Sequence, residues 1–179
     1  MTDPPRSRPM VVLVGAPGAG KTTVGEILAA RWGVAAFDTD GAVETVAGKP
    51  VSDIFVEDGE AAFRALEEDA VAAALAEQVG VVSVGGGAVL AAGTRARLSE
   101  RRVVFLDVGL PAAASRIGLG VARPLLLGNV RGQLKALLDA RRPLYAEVAT
   151  VVVATDDLTP DEVADAVERS LKVQAGADG

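Results

Sequence analysis

The sequence predicts an α/β protein in which helices cover both faces of a parallel β-sheet. Short valine-rich runs alternate along the chain with longer segments whose apolar residues recur at helical spacing, an order typical of such a sheet. Half of the 179 residues are apolar but only 3% are aromatic, so the core must be built mainly from Ala, Val and Leu. A chain of this length and composition accommodates one domain with a substantial core.

Five short apolar runs are the predicted strands, because each is brief, rich in valine and bounded by polar residues or glycine. They span residues 11–14, 34–37, 81–84, 103–108 and 148–153. Helical spacing of apolar residues predicts helices over residues 21–32, 59–78, 111–117, 131–145 and 160–173. Thr159 suits the N-cap of the last helix, and Pro160 suits its first position.

The domain organisation is simple. Three prolines within residues 1–9 predict a disordered leader, and no linker divides residues 10–174. Residues 175–179 are expected to form a flexible tail. Glycines on both sides of an Arg-Pro pair interrupt the pattern over about residues 116–128, which we interpret as a mobile lid. A plain surface loop is the alternative.

The absence of cysteine and histidine narrows the chemistry. It excludes disulfides, thiolate nucleophiles, the Ser-His-Asp triad and the usual zinc ligands. Acid–base catalysis must then come from Asp, Glu, Lys, Arg or Tyr, and a metal would be an oxygen-liganded ion such as Mg²⁺.

The charge pattern points to a small anionic ligand. A net charge of −6 argues against nucleic-acid or anionic-membrane partners. Residues 116–142 nevertheless hold six basic side chains and one acidic one. A solvated helix face is the alternative for this segment. Without a signal peptide or membrane span, we expect a cytoplasmic protein, and without an obvious apolar patch, a monomer.

The strongest motif is a phosphate-binding loop at residues 15–22, which fits G-x-x-x-x-G-K-[ST] between a predicted strand and a predicted helix. Its backbone N–H groups can surround phosphate oxygens, Lys21 can reach the terminal phosphates, and the Thr22 hydroxyl can bind Mg²⁺. The motif predicts a nucleoside triphosphate ligand, ATP above others. The expected contacts are Gly15, Gly18, Ala19, Gly20, Lys21, Thr22 and Thr23.

Two further groups follow predicted strands, where ligands bind in parallel sheets. Asp38 and Asp40 follow the second strand, and Gly85, Gly86 and Gly87 follow the third. The aspartates could serve a metal and an acceptor hydroxyl, or could simply be N-cap and turn residues before a helix at Gly41. The glycines could admit a ligand or form a tight turn.

Taken together, these residues resemble the shikimate kinase family from about residue 11 to residue 173. The motifs that carry the resemblance are Lys21-Thr22, Phe37-Asp38-Thr39-Asp40, Ile54-Phe55, Gly59-Glu60, Phe63-Arg64, Glu67, Gly85-Gly86-Gly87, Arg123-Pro124-Leu125, Arg141 and Pro143-Leu144-Tyr145. The resemblance implies a P-loop NTPase fold of the nucleoside-monophosphate-kinase type, with strand order 2-3-1-4-5, a lid and a substrate-binding region over about residues 39–67. It also implies phosphorylation of the 3-hydroxyl of shikimate by ATP, with Mg²⁺ as cofactor, in the route to chorismate and aromatic amino acids.

The resemblance implies roles on the acceptor side. Asp40 would hold the shikimate hydroxyls and act as the candidate base, and Gly86 with its neighbours would close the site. Arg64 and Arg141 would clamp the carboxylate. From the residues alone, Arg64 could equally be an ion-pair partner of Glu60 or Glu67. The supporting residues would be Val51, Phe55, Phe63, Glu67 and Leu125.

On the nucleotide side, the resemblance places Thr22 and Asp38 next to Mg²⁺. Arg123 would be the lid arginine that approaches the transferring phosphate. Arg116 would stack on adenine, with Pro160 near the other side of the base. Asp156 and its neighbour Asp157 stand where a basic residue sometimes occurs.

Two other classes of function stay open at this point. Gluconate also carries a carboxylate and hydroxyls, so a gluconate kinase or another small-metabolite kinase of this fold is one alternative. A nucleotide kinase would need a second base site, for which we find no residues. A non-catalytic nucleotide-binding regulator is the other alternative.

Overall fold

The computed structural model describes residues 9–118 and 129–177, so the predicted leader apart from residue 9, and most of the predicted lid, lie outside these ranges. Five strands form one sheet: β1 (Val11–Val14), β2 (Ala36–Asp38), β3 (Val81–Ser83), β4 (Val103–Asp107) and β5 (Val151–Ala154). All neighbouring strands are parallel, in the order β2-β3-β1-β4-β5. The predicted fold class and strand order are therefore confirmed.

Helices lie along the connections between these strands. They are α1 (Lys21–Trp32), α2 (Thr39–Ala47), α3 (Val51–Glu57), α4 (Glu60–Glu77), α5 (Ala92–Ser99), α6 (Leu110–Arg116), α7 (Val130–Val148) and α8 (Pro160–Ala177), with a short 3₁₀ turn at Ala88–Leu90. Every residue of the central strand β1 is buried, as expected for a strand covered on both faces. Among the described residues, no helix is long and apolar enough to span a membrane.

Several predicted boundaries were wrong for local physical reasons. Residues 34 and 35 precede β2 because Gly33 ends α1 in a left-handed conformation, and the N–H of Val34 still bonds to Ala29. Val148 closes α7 instead of opening β5, since a buried valine suits either element. The last helix continues to Ala177, so residues 175–177 of the predicted tail are helical. Thr159 and Glu162 form the reciprocal hydrogen bonds of a capping box at its start.

Of the three short helices α2, α3 and α5, the last two were not among the predicted elements, whereas α2 begins at Thr39, two residues before the helix that the sequence suggested at Gly41. Helices α2 and α3 pack with the start of α4 around a second small core of Val43, Ile54 and Phe63. This cluster stands apart from the main core under the sheet. It places the start of α2 and the first turns of α4 next to the carboxyl ends of β1 and β3, where the candidate site lies.

Candidate active site

The phosphate loop connects β1 to α1 and lies against β4 and α6. Gly18 and Gly20 have φ values of 82° and 88°, a left-handed conformation that favours glycine. A Cβ on Gly15 would lie 2.6 Å from the carbonyl oxygen of Leu106, so the loop also needs glycine there for close packing. The motif therefore forms the curved loop that the sequence predicts.

Lys21 begins α1 and turns its ammonium group back over the loop. Its Nζ donates to the carbonyl oxygens of Gly15, at 2.8 Å, and Ala16, at 3.2 Å. Burial lowers the pKa of Lys21 to about 8, although the nearby carboxylates of Asp40 and Asp38 act in the opposite direction. A lysine with this pKa still carries its positive charge at neutral pH. An anionic partner would stabilise this buried charge.

Asp38 caps helix α2 and also contacts Thr22 of the phosphate loop. One carboxylate oxygen, Oδ1, accepts from the N–H of Asp40 at 2.9 Å and so caps α2. The other, Oδ2, accepts from the Thr22 hydroxyl at 3.0 Å. Two hard oxygen donors from separate elements thus converge beside the phosphate loop, a donor set suited to Mg²⁺ that retains water and phosphate ligands.

Asp40 lies in the first turn of α2, between the phosphate loop and the first turns of α4. Burial raises the pKa of Asp40, and the neighbouring Asp38 adds to this shift. The positive charges of Lys21 and Arg64 oppose it from two directions. Asp40 is therefore a carboxylate of enhanced basicity that faces both the phosphate-loop lysine and an arginine of the substrate region.

The glycine triplet after β3 permits a close approach by charged side chains. A Cβ on Gly85 would lie 2.5 Å from Asp40 Oδ1 and 2.8 Å from Glu67 Oε2. A Cβ on Gly87 would overlap the guanidinium group of Arg64. Neither glycine has a left-handed φ, so space for side chains, and not backbone strain, explains the need for glycine.

The contacts of Arg64 fit both an ion pair on helix α4 and a place at the candidate acceptor site. Its Nη1 contacts Glu67 Oε1 at 2.7 Å, and Glu67 is almost fully buried. The guanidinium carbon lies 5.2 Å and 5.9 Å from the ring centroids of Phe63 and Phe55. These contacts hold the guanidinium group at Gly87, so an ion pair on the helix and a place at the candidate acceptor site are compatible.

Arg141 and Arg142 point to different surroundings. Arg142 contacts Asp107 at the end of β4, with 3.0 Å between Nη2 and Oδ1. Burial raises the pKa values of Glu67 and Tyr145, and the positive charge of Arg141 opposes both shifts, so Arg141 lies near these groups. Of this pair, it is therefore Arg141 that lies near Glu67, the ion-pair partner of Arg64.

The candidate nucleotide cavity has a volume of about 490 Å³ and opens at the phosphate loop. Its lining includes the loop from Gly18 to Thr23, the end of α6 at Arg116 and Ile117, and the start of α8 at Pro160. Arg116 donates to Gly18 O at 3.1 Å and to Thr155 O at 2.7 Å. Arg116 and Pro160 thus both line the cavity, while Arg123 lies outside the described residues.

Sequence reasoning missed three residues that support this site. Thr39 is fully buried, and its hydroxyl accepts from the N–H of Gly85 at 3.1 Å. Tyr145 donates its hydroxyl to Gly86 O. Thr155 anchors Arg116. Thr39 and Tyr145 belong to motifs that carry the family resemblance, but their contacts, like those of Thr155, join elements far apart in the sequence.

A cavity at the phosphate loop, with the Asp40 carboxylate and the Arg64 guanidinium group beside the glycine triplet after β3, suits an ATP-dependent phosphotransferase for a small acidic alcohol. The fold is that of nucleoside-monophosphate-kinase-like P-loop proteins. The family model described as "Shikimate kinase" matches residues 17–172. The chain belongs to the shikimate kinase family.

Individual relatives agree with this assignment. The chain is 58% identical to a shikimate kinase of Thermobifida fusca over 165 residues, which cover 92% of this chain and 96% of that protein. It is 61% identical to one of Saccharopolyspora erythraea over 170 residues, covering 94% and 97%. The solved structure of Acinetobacter baumannii shikimate kinase in complex with shikimate matches with a TM-score of 0.85 and 33% identity, covering 94% and 95%. These matches do not favour a gluconate kinase, a nucleotide kinase or a regulator.

Proposed function

We propose that this chain transfers the γ-phosphate of ATP to the 3-hydroxyl of shikimate through the residues described above. The observation that carries this proposal is the position of Asp40 beside the glycine triplet, where a Cβ on Gly85 would lie 2.5 Å from Asp40 Oδ1 and 2.8 Å from Oε2 of Glu67, the ion-pair partner of Arg64. An acceptor hydroxyl that donates to Asp40 would therefore lie on the side of the acceptor that faces the terminal phosphate.

On the nucleotide side, the loop N–H groups and Lys21 bind the phosphates, and Arg116 and Pro160 hold the base. Thr22 and Asp38 would hold Mg²⁺, which supplies positive charge to the phosphate oxygens when bound. Arg123 is assigned to the transferring phosphate by its sequence motif. Lys21 adds positive charge where negative charge develops during transfer.

On the acceptor side, Arg64 and Arg141 bind the carboxylate, because guanidinium groups pair with it in bidentate geometry. Glu67 keeps Arg64 in place, and Gly85 to Gly87 leave room for both the arginine and the substrate. Asp40 accepts the hydrogen bond of the reacting hydroxyl and then its proton. We also propose that the protein acts as a cytoplasmic monomer.

The function is tested by a coupled ADP-release assay with Mg-ATP and a panel of acceptors: shikimate, gluconate and the common nucleoside monophosphates. We expect turnover with shikimate and none above background with the others. Turnover with gluconate but not shikimate would overturn the acceptor assignment and leave the nucleotide site intact. Nucleotide binding without turnover of any acceptor would instead support the regulator.

The adjacent arginines give a matched pair of variants for the carboxylate clamp. Arg141→Lys should raise the KM for shikimate by about 10-fold or more, because lysine cannot form the bidentate pair, and should leave the KM for ATP within about two-fold. Arg142→Lys, which changes an exposed ion pair with Asp107, should leave both constants nearly unchanged. Equal effects of Arg141→Lys on both substrates would count against the carboxylate role.

The lowered pKa of Lys21 predicts a pH dependence for nucleotide binding. With a pKa of about 8 in the free protein, Lys21 is charged below that pH and neutral above it. Above pH 8, binding must also take up a proton, so the Kd for ADP should rise with pH, by at most about 10-fold per unit. Calorimetry between pH 7 and 9.5 measures this slope. Lys21→Met should abolish it, and a slope that persists in the variant would assign the effect to another group.

A further inference from the structure

Two consecutive residues after β5, Thr155 and Asp156, contact both ends of helix α6. The Oδ1 atom of Asp156 accepts from the N–H of Gly109, the residue before the helix, at 2.7 Å. The last residue of the helix, Arg116, donates from Nη1 to Thr155 Oγ1 at 3.0 Å and from Nη2 to Thr155 O at 2.7 Å. The loop from β5 to α8 therefore fixes α6 at its start and at its end.

This connection joins two walls of the nucleotide cavity. Arg116 and Ile117 at the end of α6 form one wall, and Leu158 and Pro160 form another. Arg116 also donates to Gly18 O at 3.1 Å. The two walls are therefore connected to the phosphate loop through Arg116. The separation between the walls depends on how firmly α6 is held by the β5–α8 loop.

The two contacts of this loop differ in how they are anchored. Thr155 is fully buried, and its N–H bonds to Asp107 O at 2.9 Å, next to the β4–β5 ladder. Its position is set by the sheet. Asp156 is exposed, and within residues 9–118 and 129–177 its side chain has one hydrogen-bonding role, the contact with Gly109. Its carboxylate can therefore be removed without disturbing the sheet.

Gly109, the partner of Asp156 in this contact, leaves room for the carboxylate. Its φ is −79°, which any residue adopts, so backbone conformation does not require glycine. A Cβ at this position would instead lie 2.5 Å from Asp156 Oδ2. Gly109 has no side chain where the Asp156 carboxylate approaches. A larger residue at position 109 would require this carboxylate to move, so the contact constrains both residues.

We infer that Asp156 is a positioning residue for the nucleotide: through Gly109 it holds α6 so that Arg116 meets the base. The inference rests on the proposed function in taking this cavity as the nucleotide site. Asp156 does not touch the reacting atoms. Asp156 positions the nucleotide only, so removal of its carboxylate should weaken the binding of ATP and leave the binding of shikimate unchanged.

The test compares Asp156→Ala, Asp156→Asn and the neighbouring control Asp157→Ala, in KM values for both substrates and in Kd for ADP by calorimetry. Asp156→Ala should raise the ATP KM and the ADP Kd about five-fold, the effect of one lost hydrogen bond, with the shikimate KM unchanged. Asp156→Asn should restore most of the affinity, because its amide oxygen still accepts from Gly109. Asp157→Ala should resemble the unmodified protein, since Asp157 is an exposed residue of the same loop.

A double-mutant cycle makes the test specific to this contact. Gly109→Ala alone should weaken ADP binding, whereas in the Asp156→Ala background it should add nothing, because its clash is gone. Unchanged ADP binding in Asp156→Ala would overturn the inference, as would an equal rise in both KM values with a lower melting temperature. If the unmodified protein failed to phosphorylate shikimate, the proposed function would fail, yet the ADP measurements would still decide the role of Asp156.

Discussion

Asp40→Asn is expected to reduce kcat with shikimate by about 10²- to 10⁴-fold while leaving ADP binding within about two-fold. Asparagine fills the same space and still accepts a hydrogen bond, but it cannot take the proton of the reacting hydroxyl. The raised pKa of Asp40, caused by burial and by Asp38, is what suits this carboxylate to that role. Steady-state kinetics with both substrates and calorimetry with ADP measure the two parts of this expectation.

Asp69→Asn is the matched control, because Asp69 is an exposed residue on α4, the helix that carries Arg64. It should behave like the unmodified protein. The pH profile supplies a second check: kcat/KM should fall as pH drops through the raised pKa of Asp40, where the base becomes protonated. If Asp40→Asn kept near-normal turnover, Asp40 would have no part in proton transfer.

Lys21→Met is expected to lower kcat by about 10²- to 10³-fold and also to weaken nucleotide binding. The ammonium group lies directly over the loop, bonded to Gly15 O and Ala16 O, where it can turn to the terminal phosphates. Methionine keeps the length of the side chain and removes its charge. The loss should be larger in kcat/KM than in the Kd for ADP, because ADP lacks the transferring phosphate.

Lys49→Met provides the control for a lost lysine charge. Lys49 forms ion pairs with Glu57 and Asp58 next to α3, away from the phosphate loop. Its removal should leave kcat nearly unchanged. Comparable losses in the two variants would mean that overall charge, and not the position of Lys21, governs turnover.

Sequence reasoning succeeded where local chemistry decides the structure. The phosphate loop, the five strands and the Thr159 cap of α8 each depend on residues close together in the chain. The boundaries of β2 and β5 failed because valine suits a strand, a turn or a helix end, and packing decides among them. The helices α2, α3 and α5 have nine, seven and eight residues, too few for a clear apolar period.

At the candidate site, the sequence offered pairs of interpretations, and the structure shows that the two members of a pair are compatible, because one side chain makes two contacts. Asp38 caps a helix with one oxygen and meets Thr22 with the other. Arg64 forms an ion pair with Glu67 and also lies at Gly87. Contacts such as Tyr145 with Gly86, and Asp156 with Gly109, could not be predicted, because they join residues dozens of positions apart without a local pattern.

Arg64, Arg141 and Asp40 together are proposed to present one hydroxyl of shikimate to the terminal phosphate. The position of the phosphate on the product tests this proposal most directly, by NMR that correlates phosphorus with the ring protons. We expect the phosphorus to couple only to the ring proton on carbon 3. Phosphate on another ring carbon would show that the acceptor binds in a different orientation, which would contradict the roles assigned to Asp40, Arg64 and Arg141.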